Sequence, residues 1–330
     1  MAQPKMGHRL YISGGGSIHL CDMDPLSGAV TISAAAVGSG AFMAPSSDGQ
    51  FLYALEGAGA TAYRIAADGT LKHLNSVAAE LSGFAHISTT GIATSGTAVC
   101  ILAAYGGGGV SILKIHRDGS LAETAGPGSS FQHGPGSMVD PQRQTTSCAH
   151  SAFVDPTGGR AIVSDLGTDQ LVSYTIDSRK GMLTPCQTPF DSTPGAGPRH
   201  LCFHPSGKWL YSINELDCTI TALDYDKETG RIQLLESMST LPEGYQNFEH
   251  GTGNAKNAAG GPASGPNSSG TLKGPKGNNP SRKHWDQTNT CSDIHCSPNG
   301  KWLYGSNRGH DSLVCFEIGA DGRLSVQGWT

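Results

Sequence analysis

Residues 204–232, HPSGKWLYSINELDCTITALDYDKETGRI, show most clearly the unit from which the fold is predicted. It contains a turn with glycine, an apolar run that reaches a tyrosine, a polar turn, a second alternating run and a closing Gly-x-apolar step. The same order of features recurs clearly at 155–183 and 297–324, and more weakly at 8–30, 47–71 and 89–121. Alternation of apolar and polar residues predicts β-strands, and a unit that recurs along the chain predicts a repeat fold.

The closing Gly-x-apolar step occurs six times, and it begins at Gly28, Gly69, Gly119, Gly181, Gly230 and Gly322. The intervals are 41, 50, 62, 49 and 92 residues, and the two longest contain a Gly/Pro/Ser loop at 125–147 and a low-complexity insert at 249–284. A period of about 40–50 residues with short strands is typical of β-propeller blades. The repeats show no helical spacing of apolar residues. We therefore predict an all-β propeller in which residues 1–330 form one domain with about six repeats.

Composition narrows the class of function. Apolar residues make up 37% of the chain and no apolar run reaches 18 residues, so no membrane span is predicted. The formal net charge of −5 argues against a nucleic-acid surface. The insert at 249–284 has almost no large apolar residue, so we expect a solvated, disordered loop. The alternative is that the lysines and arginines of the insert contact an anionic partner.

The cysteines point to a reducing compartment. Nine are scattered along the chain without a CxxC pair, and residues 1–9 lack the apolar stretch of a signal peptide. Reduced, structural thiols and a cytoplasmic location are the expectation.

Polar residues at equivalent repeat positions indicate the functional site. Glu215 and Arg308 each follow a tyrosine by four residues, at Tyr211 and Tyr304. His150, Arg199 and Ser292 each precede the proline of a turn by six residues and are expected to begin an innermost strand. A propeller superimposes such positions around its axis, so we predict that His150, Arg199, Glu215 and Arg308 converge. The alternative is that each is a structural group with satisfied hydrogen bonds.

Metal and cofactor sites are not predicted. His200 and His204 are four apart, but on a strand and a turn, where this spacing makes no metal-binding face. The run 293–295 lacks further ligands at suitable spacing, and the glycines at 106–109 precede no helix that could cradle a phosphate. No GxSxG nucleophile motif is present.

Several longer motifs carry a family resemblance. They are CAHS at 148–151, SDLGTD at 164–169, GAGPRHLCFHP at 195–205, NEL at 214–216, LPEG at 241–244, DIH at 293–295 and SNRGHDS at 306–312. With these motifs the chain resembles the seven-bladed propeller lactonases, a family that includes bacterial 6-phosphogluconolactonases and fungal carboxy-cis,cis-muconate cyclases. The match covers about residues 132–329, with weaker similarity upstream.

The resemblance implies a ligand pocket lined by a histidine, two arginines and a glutamate, without a metal or cofactor. By motif these are His150, Arg199, Arg308 and Glu215, the residues already selected by repeat position. His200, Asn214 and Asn307 lie beside them in the motifs and are further expected to bind substrate. The family also has a seventh repeat, whereas only six residues follow Leu324, so we expect the C-terminal blade to be missing.

The implied function is hydrolysis of an anionic sugar-acid lactone, 6-phospho-D-glucono-1,5-lactone, in the pentose phosphate pathway. Arg199 and Arg308 would grip the anion because a guanidinium offers paired hydrogen bonds to phosphate or carboxylate. Either Glu215 or His150 would be the general base for water. Two alternatives remain at this point: a muconate cyclase, which closes a lactone, and a non-catalytic binding propeller, whose His, Arg and Glu could be replaced without loss of function.

Overall fold

The computed structural model describes residues 8–91, 95–123, 126–186, 189–245 and 289–330. The insert predicted at 249–284 lies outside these described residues. Within them the chain forms strands and turns and no α-helix. Contacts group the chain into two units. Unit 1 comprises residues 1–133, 149–163 and 173–187, and unit 2 comprises residues 134–148, 164–172 and 188–330.

Unit 1 holds three sheets in which strands that follow one another along the chain are neighbours. The first sheet has the order β1 (His8–Gly14), β2 (Ser17–Met23), β3 (Val30–Val37). The second has the order β4 (Met43–Pro45), β5 (Phe51–Glu56), β6 (Gly59–Ile65), β7 (Leu71–Ala78). The third has β8 (Phe84–Thr90), β9 (Ala98–Ala104), β10 (Gly109–Ile115), β11 (Leu121–Ala122), and β12 (Ser130–Gln132) also pairs with β10.

A fourth sheet follows the same plan, with the order β13 (Ala149–Val154), β14 (Arg160–Asp165), β15 (Gln170–Asp177), β16 (Met182–Pro185), and with β17 (Phe190–Asp191) paired to β15. Unit 2 holds the remaining two sheets. Their orders are β18 (Pro198–Phe203), β19 (Trp209–Asn214), β20 (Thr219–Tyr225), β21 (Ile232–Ser239), and β22 (Thr290–Cys296), β23 (Trp302–Arg308), β24 (Ser312–Ile318), β25 (Leu324–Trp329).

The six sheets of the described residues confirm the predicted repeats and the all-β class. Residues 204–232 contain the turn before β19, then β19 and β20, and end where β21 begins. As predicted, Arg199 and His150 lie at the start of the first strand of their sheets, each as its second residue.

The second strands β9 and β19 are more deeply buried than the fourth strands β7 and β21. Every residue of β9 is buried, and so is all of β19 after its first residue. In β7 and β21, by contrast, no position is buried, and half-buried and exposed positions follow one another in the same pattern. β9 is therefore apolar on both faces and β19 buries the polar Ser212 and Asn214 as well, whereas the fourth strands β7 and β21 carry polar side chains toward solvent.

The closing glycines all adopt a left-handed backbone conformation. They occupy the hairpin turns before β3, β7, β11, β16, β21 and β25, with φ between 69° and 90°. Only glycine populates this region without steric cost. Gly-x-apolar thus marks a tight hairpin turn that occurs six times in the described residues. The turn has two lengths, because the glycine amide donates to the carbonyl oxygen three residues earlier at Gly69, Gly119 and Gly322, and four residues earlier at Gly28, Gly181 and Gly230.

A recurring tyrosine links each of several sheets to the next. In unit 1, the hydroxyl of Tyr11 donates to the carbonyl oxygen of Gly69 (2.7 Å), and that of Tyr53 donates to Gly119 (3.1 Å). In unit 2, Tyr211 donates to Gly322 (3.0 Å). At these three places the tyrosine and the closing glycine of consecutive sheets are therefore hydrogen-bond partners.

Candidate active site

The candidate site of unit 2 is built at irregular points of regular strands. Arg199 lies in β18 where the register with β19 shifts between Pro198 and His200, so Arg199 forms a β-bulge. Glu215 directly follows β19, and Arg308 is the last residue of β23. The pairing of β22 with β23 also shifts, between Cys291 and Ile294. Bulges of this kind commonly re-aim a side chain beside a functional site.

The structure brings Arg199, Glu215 and Arg308 together, as predicted, and adds a third arginine. Glu215 Oε2 accepts a hydrogen bond from Arg199 Nε at 2.8 Å and lies 3.1 Å from Arg308 Nη2. Glu215 Oε1 accepts a hydrogen bond from Arg143 Nη2 at 2.7 Å. The glutamate side chain is only 6% exposed, whereas that of Arg308 is 45% exposed. We call these four residues the arginine cluster.

Main-chain groups hold the arginine cluster in place. Arg199 Nη1 donates to the carbonyl oxygen of Ser292 (2.7 Å), and Arg308 Nη2 donates to that of Cys291 (2.8 Å). The amide of Glu215 donates to the carbonyl oxygen of Gly197 (2.8 Å). Two guanidiniums are thus tied to main-chain carbonyl oxygens as well as to the Glu215 side chain, and the backbone of Glu215 is tied to Gly197.

The arginine cluster carries a net positive charge. Three guanidiniums against one carboxylate leave a charge of +2. Burial raises the pKa of Glu215, but the guanidiniums of Arg143, Arg308 and Arg199 together outweigh it and hold this pKa below its ordinary value. Burial lowers the pKa of Arg199, against the opposing pull of Glu215, but a guanidinium stays protonated in proteins. The arrangement is suited to binding an anion.

Arg143 was not among the site residues predicted from the sequence. It lies in the loop that precedes Cys148, within the Gly/Pro/Ser-rich stretch, where no repeat position can be assigned. Its backbone amide is capped by Asp140 Oδ1 (3.1 Å), which also accepts from the amide of Gln142 (2.8 Å). The only signal in the sequence is this Asp-x-x-Arg turn inside a loop that contains no other lysine or arginine.

His150 belongs to unit 1. It stands in β13, and its ring packs edge-on against Tyr105, with centroids 5.5 Å apart. Its side chain is partly buried. The catalytic role that the resemblance implies for His150 stays a prediction.

The other three predicted site residues lie in unit 2 with buried side chains. His200 Nδ1 is 2.9 Å from Asp293 Oδ1, and burial lowers the pKa of this imidazole despite the nearby carboxylate. Asn214 donates to the hydroxyls of Thr219 and Thr221. Asn307 donates to the carbonyl oxygen of Thr240 and accepts from Asn289. These contacts are internal, so direct substrate contacts by the three residues stay predictions.

The described residues contain neither a cluster of metal ligands nor a membrane-spanning helix. Across the described ranges, no three or more His, Cys, Asp or Glu side chains are grouped so that they could hold a metal ion. The same part of the chain contains no helix with the length and apolarity needed to span a bilayer.

Comparison with known proteins gives consistent relatives. The chain is 34% identical over 224 residues to an uncharacterized protein of Lactococcus lactis subsp. cremoris (strain MG1363), covering 68% of this chain and 51% of that protein. It is 27% identical over 290 residues to a 6-phosphogluconolactonase of Bacillus subtilis (strain 168), covering 86% of this chain and 68% of that protein. A crystal structure of a protein from Lactobacillus plantarum superposes with a TM-score of 0.74 at 26% identity, over 98% of this chain and 82% of the other.

The chain spans about half the length of the Lactococcus relative. The sequence model of one family, described as "Lactonase, 7-bladed beta-propeller", matches residues 7–259 and 263–330. That description has one blade more than the six sheets of the described residues. The fold predicted from the repeats, the motifs and this match over nearly the whole chain agree: the chain belongs to the lactonase family of seven-bladed β-propellers.

Proposed function

We propose that the protein hydrolyses the lactone of a phosphorylated sugar acid, 6-phospho-D-glucono-1,5-lactone. The observation that carries the proposal is the arginine cluster, in which three guanidiniums surround one buried carboxylate and leave a charge of +2. Support also comes from relatives named 6-phosphogluconolactonase, at 27–28% identity over more than four fifths of this chain. We also propose, as expected from the sequence, that this reaction takes place in the cytoplasm as part of the pentose phosphate pathway.

Arg308 and Arg199 are the proposed anion-binding residues. Among the described residues, Arg308 donates one hydrogen bond, from Nη2 to the carbonyl oxygen of Cys291. Nearly half of its side chain is exposed. Its remaining N–H groups suit a phosphate or a developing oxyanion, since a guanidinium presents five donors in a fixed fork. Arg199 is more buried, at 14% exposure, and so offers its charge in a drier environment.

The proposed reaction needs no covalent enzyme intermediate. Water adds to the lactone carbonyl carbon, and the carbonyl oxygen becomes an oxyanion that the guanidiniums stabilise. The ring carbon–oxygen bond then breaks, the proton lost by water reaches the ring oxygen, and the open-chain acid leaves.

Glu215 is an unfavourable general base for this step. A carboxylate bound by several guanidiniums is a weak proton acceptor, because protonation would leave their charges unbalanced. We therefore assign to Glu215 the role of holding the guanidiniums in place. We assign the removal of a proton from water to His150, because its motif matches the one that carries the pocket histidine in the family.

The test is acid release from freshly prepared 6-phosphogluconolactone, measured against the spontaneous rate. The wild-type chain, Arg199→Ala, His150→Gln and the control Arg231→Ala are compared, and glucono-1,5-lactone serves as the substrate without phosphate. Arg231 is an exposed arginine in the turn before β21, so its removal changes the net charge equally. We expect hydrolysis by wild type and Arg231→Ala, and loss of it in the other two variants.

The phosphate should improve kcat/KM by about tenfold or more, because charge-assisted hydrogen bonds contribute about 1.5–3 kcal/mol each. Equal turnover of both lactones would contradict the assignment of the arginines to phosphate. Full activity in Arg199→Ala and His150→Gln would contradict the roles given to these two residues. No hydrolysis above the spontaneous rate by the wild-type chain would leave the non-catalytic propeller as the better description. Closure of a lactone from carboxy-cis,cis-muconate, with no opening of 6-phosphogluconolactone, would identify the cyclase.

A further inference from the structure

We propose that Asp169 is the positioning residue of the arginine cluster: one buried carboxylate holds the segments that carry Arg143, Arg199 and Glu215. Asp169 lies in the turn between β14 and β15 and is 4% exposed. It belongs to unit 2, like the whole arginine cluster. Among the described residues none of its hydrogen bonds is with a guanidinium, so its effect passes through main-chain amides, the Gln144 side-chain amide and the Ser137 hydroxyl.

Both oxygens of Asp169 are saturated with donors. Oδ1 accepts from Gln144 Nε2 (2.7 Å) and from the amide of Gly197 (2.8 Å). Oδ2 accepts from Ser137 Oγ (2.8 Å) and from the amide of Gly195 (2.8 Å). A carboxylate has about four acceptor positions, and here four donors from two separate loops fill them.

The first loop carries Arg143. Gln144 is fully buried and is the next residue along the chain. Besides Asp169, its Nε2 binds the carbonyl oxygen of Leu166 (2.8 Å), and its Oε1 accepts from the amide of Asp140 (2.9 Å). The backbone on both sides of Arg143 is therefore fixed with reference to the Asp169 carboxylate.

The second loop leads to Arg199 and Glu215. Gly195 and Gly197 adopt φ of 83° and 64°, which turns both amides toward Asp169, and Gly197 is two residues before Arg199. The carbonyl oxygen of Gly197 accepts from the amide of Glu215. A Cβ at Gly197 would lie 2.6 Å from Leu216 Cγ, so only glycine lets the backbone at position 197 lie this close to Leu216. One carboxylate thus orders the chain beside three of the four cluster members.

The variant Asp169→Asn tests this role with little change in shape. Asp169 has φ of 58°, and asparagine also tolerates this conformation. The amide nitrogen of asparagine would face two donors, so one pair of hydrogen bonds must be lost. Ser137→Ala removes one donor only and provides a milder second variant. Asp155→Asn is the matched control, because Asp155 is equally buried and accepts from the amides of Gly159 and Arg160 in its own turn.

The first readout does not depend on catalysis. In ¹⁵N-labelled protein, the Nε–H resonance of Arg199, assigned with Arg199→Lys, reports its hydrogen bond to Glu215. We expect this resonance to shift or broaden in Asp169→Asn, to move less in Ser137→Ala and to stay in place in Asp155→Asn, while circular dichroism shows all three folded. If Asp169→Asn does not fold, the position of the Arg199 resonance in Ser137→Ala, compared with that in Asp155→Asn, tests the proposal. An unchanged Arg199 resonance in the folded variants overturns the proposal.

The second readout is kinetic and rests on the proposed function. KM for 6-phosphogluconolactone should rise about tenfold to hundredfold in Asp169→Asn, because misplacing binding groups by about 1 Å has effects of that size. Ser137→Ala should raise it roughly two- to tenfold, and Asp155→Asn should leave it unchanged. A wild-type chain without lactonase activity overturns the proposed function, and the Arg199 resonance then still decides the role of Asp169.

Discussion

At the scale of single residues, the contacts of Glu215 restrict what this carboxylate can do. It accepts hydrogen bonds from Arg143 and Arg199 and lies within ion-pair distance of Arg308. Without it, three guanidiniums would repel one another in a partly buried place. Removing one partner of a buried ion pair is strongly destabilising because the remaining charge is left uncompensated. Glu215 therefore makes the concentration of positive charge possible.

Glu215→Gln should lower the free energy of unfolding by about 3–5 kcal/mol at pH 7. The pKa of Glu215 is lowered from its ordinary 4.5 in the folded chain. Its stabilisation is therefore complete above that ordinary value and is lost as the pH falls through the folded-state pKa. Urea denaturation of wild type and Glu215→Gln at pH 7, 5, 4 and 3 should show a difference that shrinks with acidity. Glu243→Gln, at an exposed position, is the control. A difference that is the same at pH 7 and pH 3 would contradict this account.

Residues on the repeat were predictable, and those off it were not. Arg199, Glu215 and Arg308 follow from their equivalent positions, because each sheet places them at strand ends that recur. Arg143 lies in a loop with no counterpart in the other repeats. The bulge at Arg199 was equally out of reach, because a strand pattern shows which residues alternate but not where pairing slips by one residue.

At the scale of elements, the contact between a tyrosine and a closing glycine explains why the repeat keeps both. The carbonyl oxygen of each such glycine accepts the tyrosine hydroxyl, and the missing side chain makes room for the sheet before it. A Cβ at Gly322 would lie 2.6 Å from the ring of Trp209, and one at Gly119 would collide with Phe51. The strand order and these turns were predictable because they are local and repeated.

Gly119→Ala should destabilise the protein more than Gly28→Ala. Both glycines are left-handed, with φ of 90° and 70°, but a Cβ at Gly28 meets nothing within 4 Å. Gly28→Ala should lower the free energy of unfolding by about 1–2 kcal/mol from backbone strain alone. Gly119→Ala adds overpacking against Phe51 and should lower it by about 2–5 kcal/mol. Denaturant titration of the two variants measures the difference, and equal losses would show that the turn tolerates a side chain against its neighbour.

At the scale of the whole molecule, charge is distributed unevenly. The chain has a formal net charge of −5, and the arginine cluster contributes +2 of opposite sign within unit 2. The sequence predicted the fold class and the family at this scale because blades repeat and motifs persist over most of the chain. It did not predict the division of contacts into two units, since the boundaries at 133–134, 148–149 and 163–164 fall within or beside repeats that look continuous in the sequence.

An anionic product should stabilise the folded protein through the arginine cluster. At a concentration of 100 times its Kd, 6-phosphogluconate should raise the free energy of unfolding by about 2.7 kcal/mol, visible as a higher melting temperature. Gluconate at the same concentration should raise it less, because it lacks the phosphate charges. Arg199→Ala should lose most of the effect and Arg231→Ala should keep it. Equal stabilisation by the two acids would place the phosphate away from the guanidiniums.

The main-chain anchoring of the guanidiniums has a thermodynamic consequence. Immobilising a free arginine side chain costs up to about 2 kcal/mol of free energy through lost rotamer entropy. Here Arg199 and Arg308 are already fastened to the carbonyl oxygens of Ser292 and Cys291 before any ligand arrives. Much of that entropy is therefore lost during folding and not at the moment of encounter. An incoming anion meets a receptor that is already stiff, and its association should show a small entropic penalty from the protein and little adjustment of the surrounding side chains.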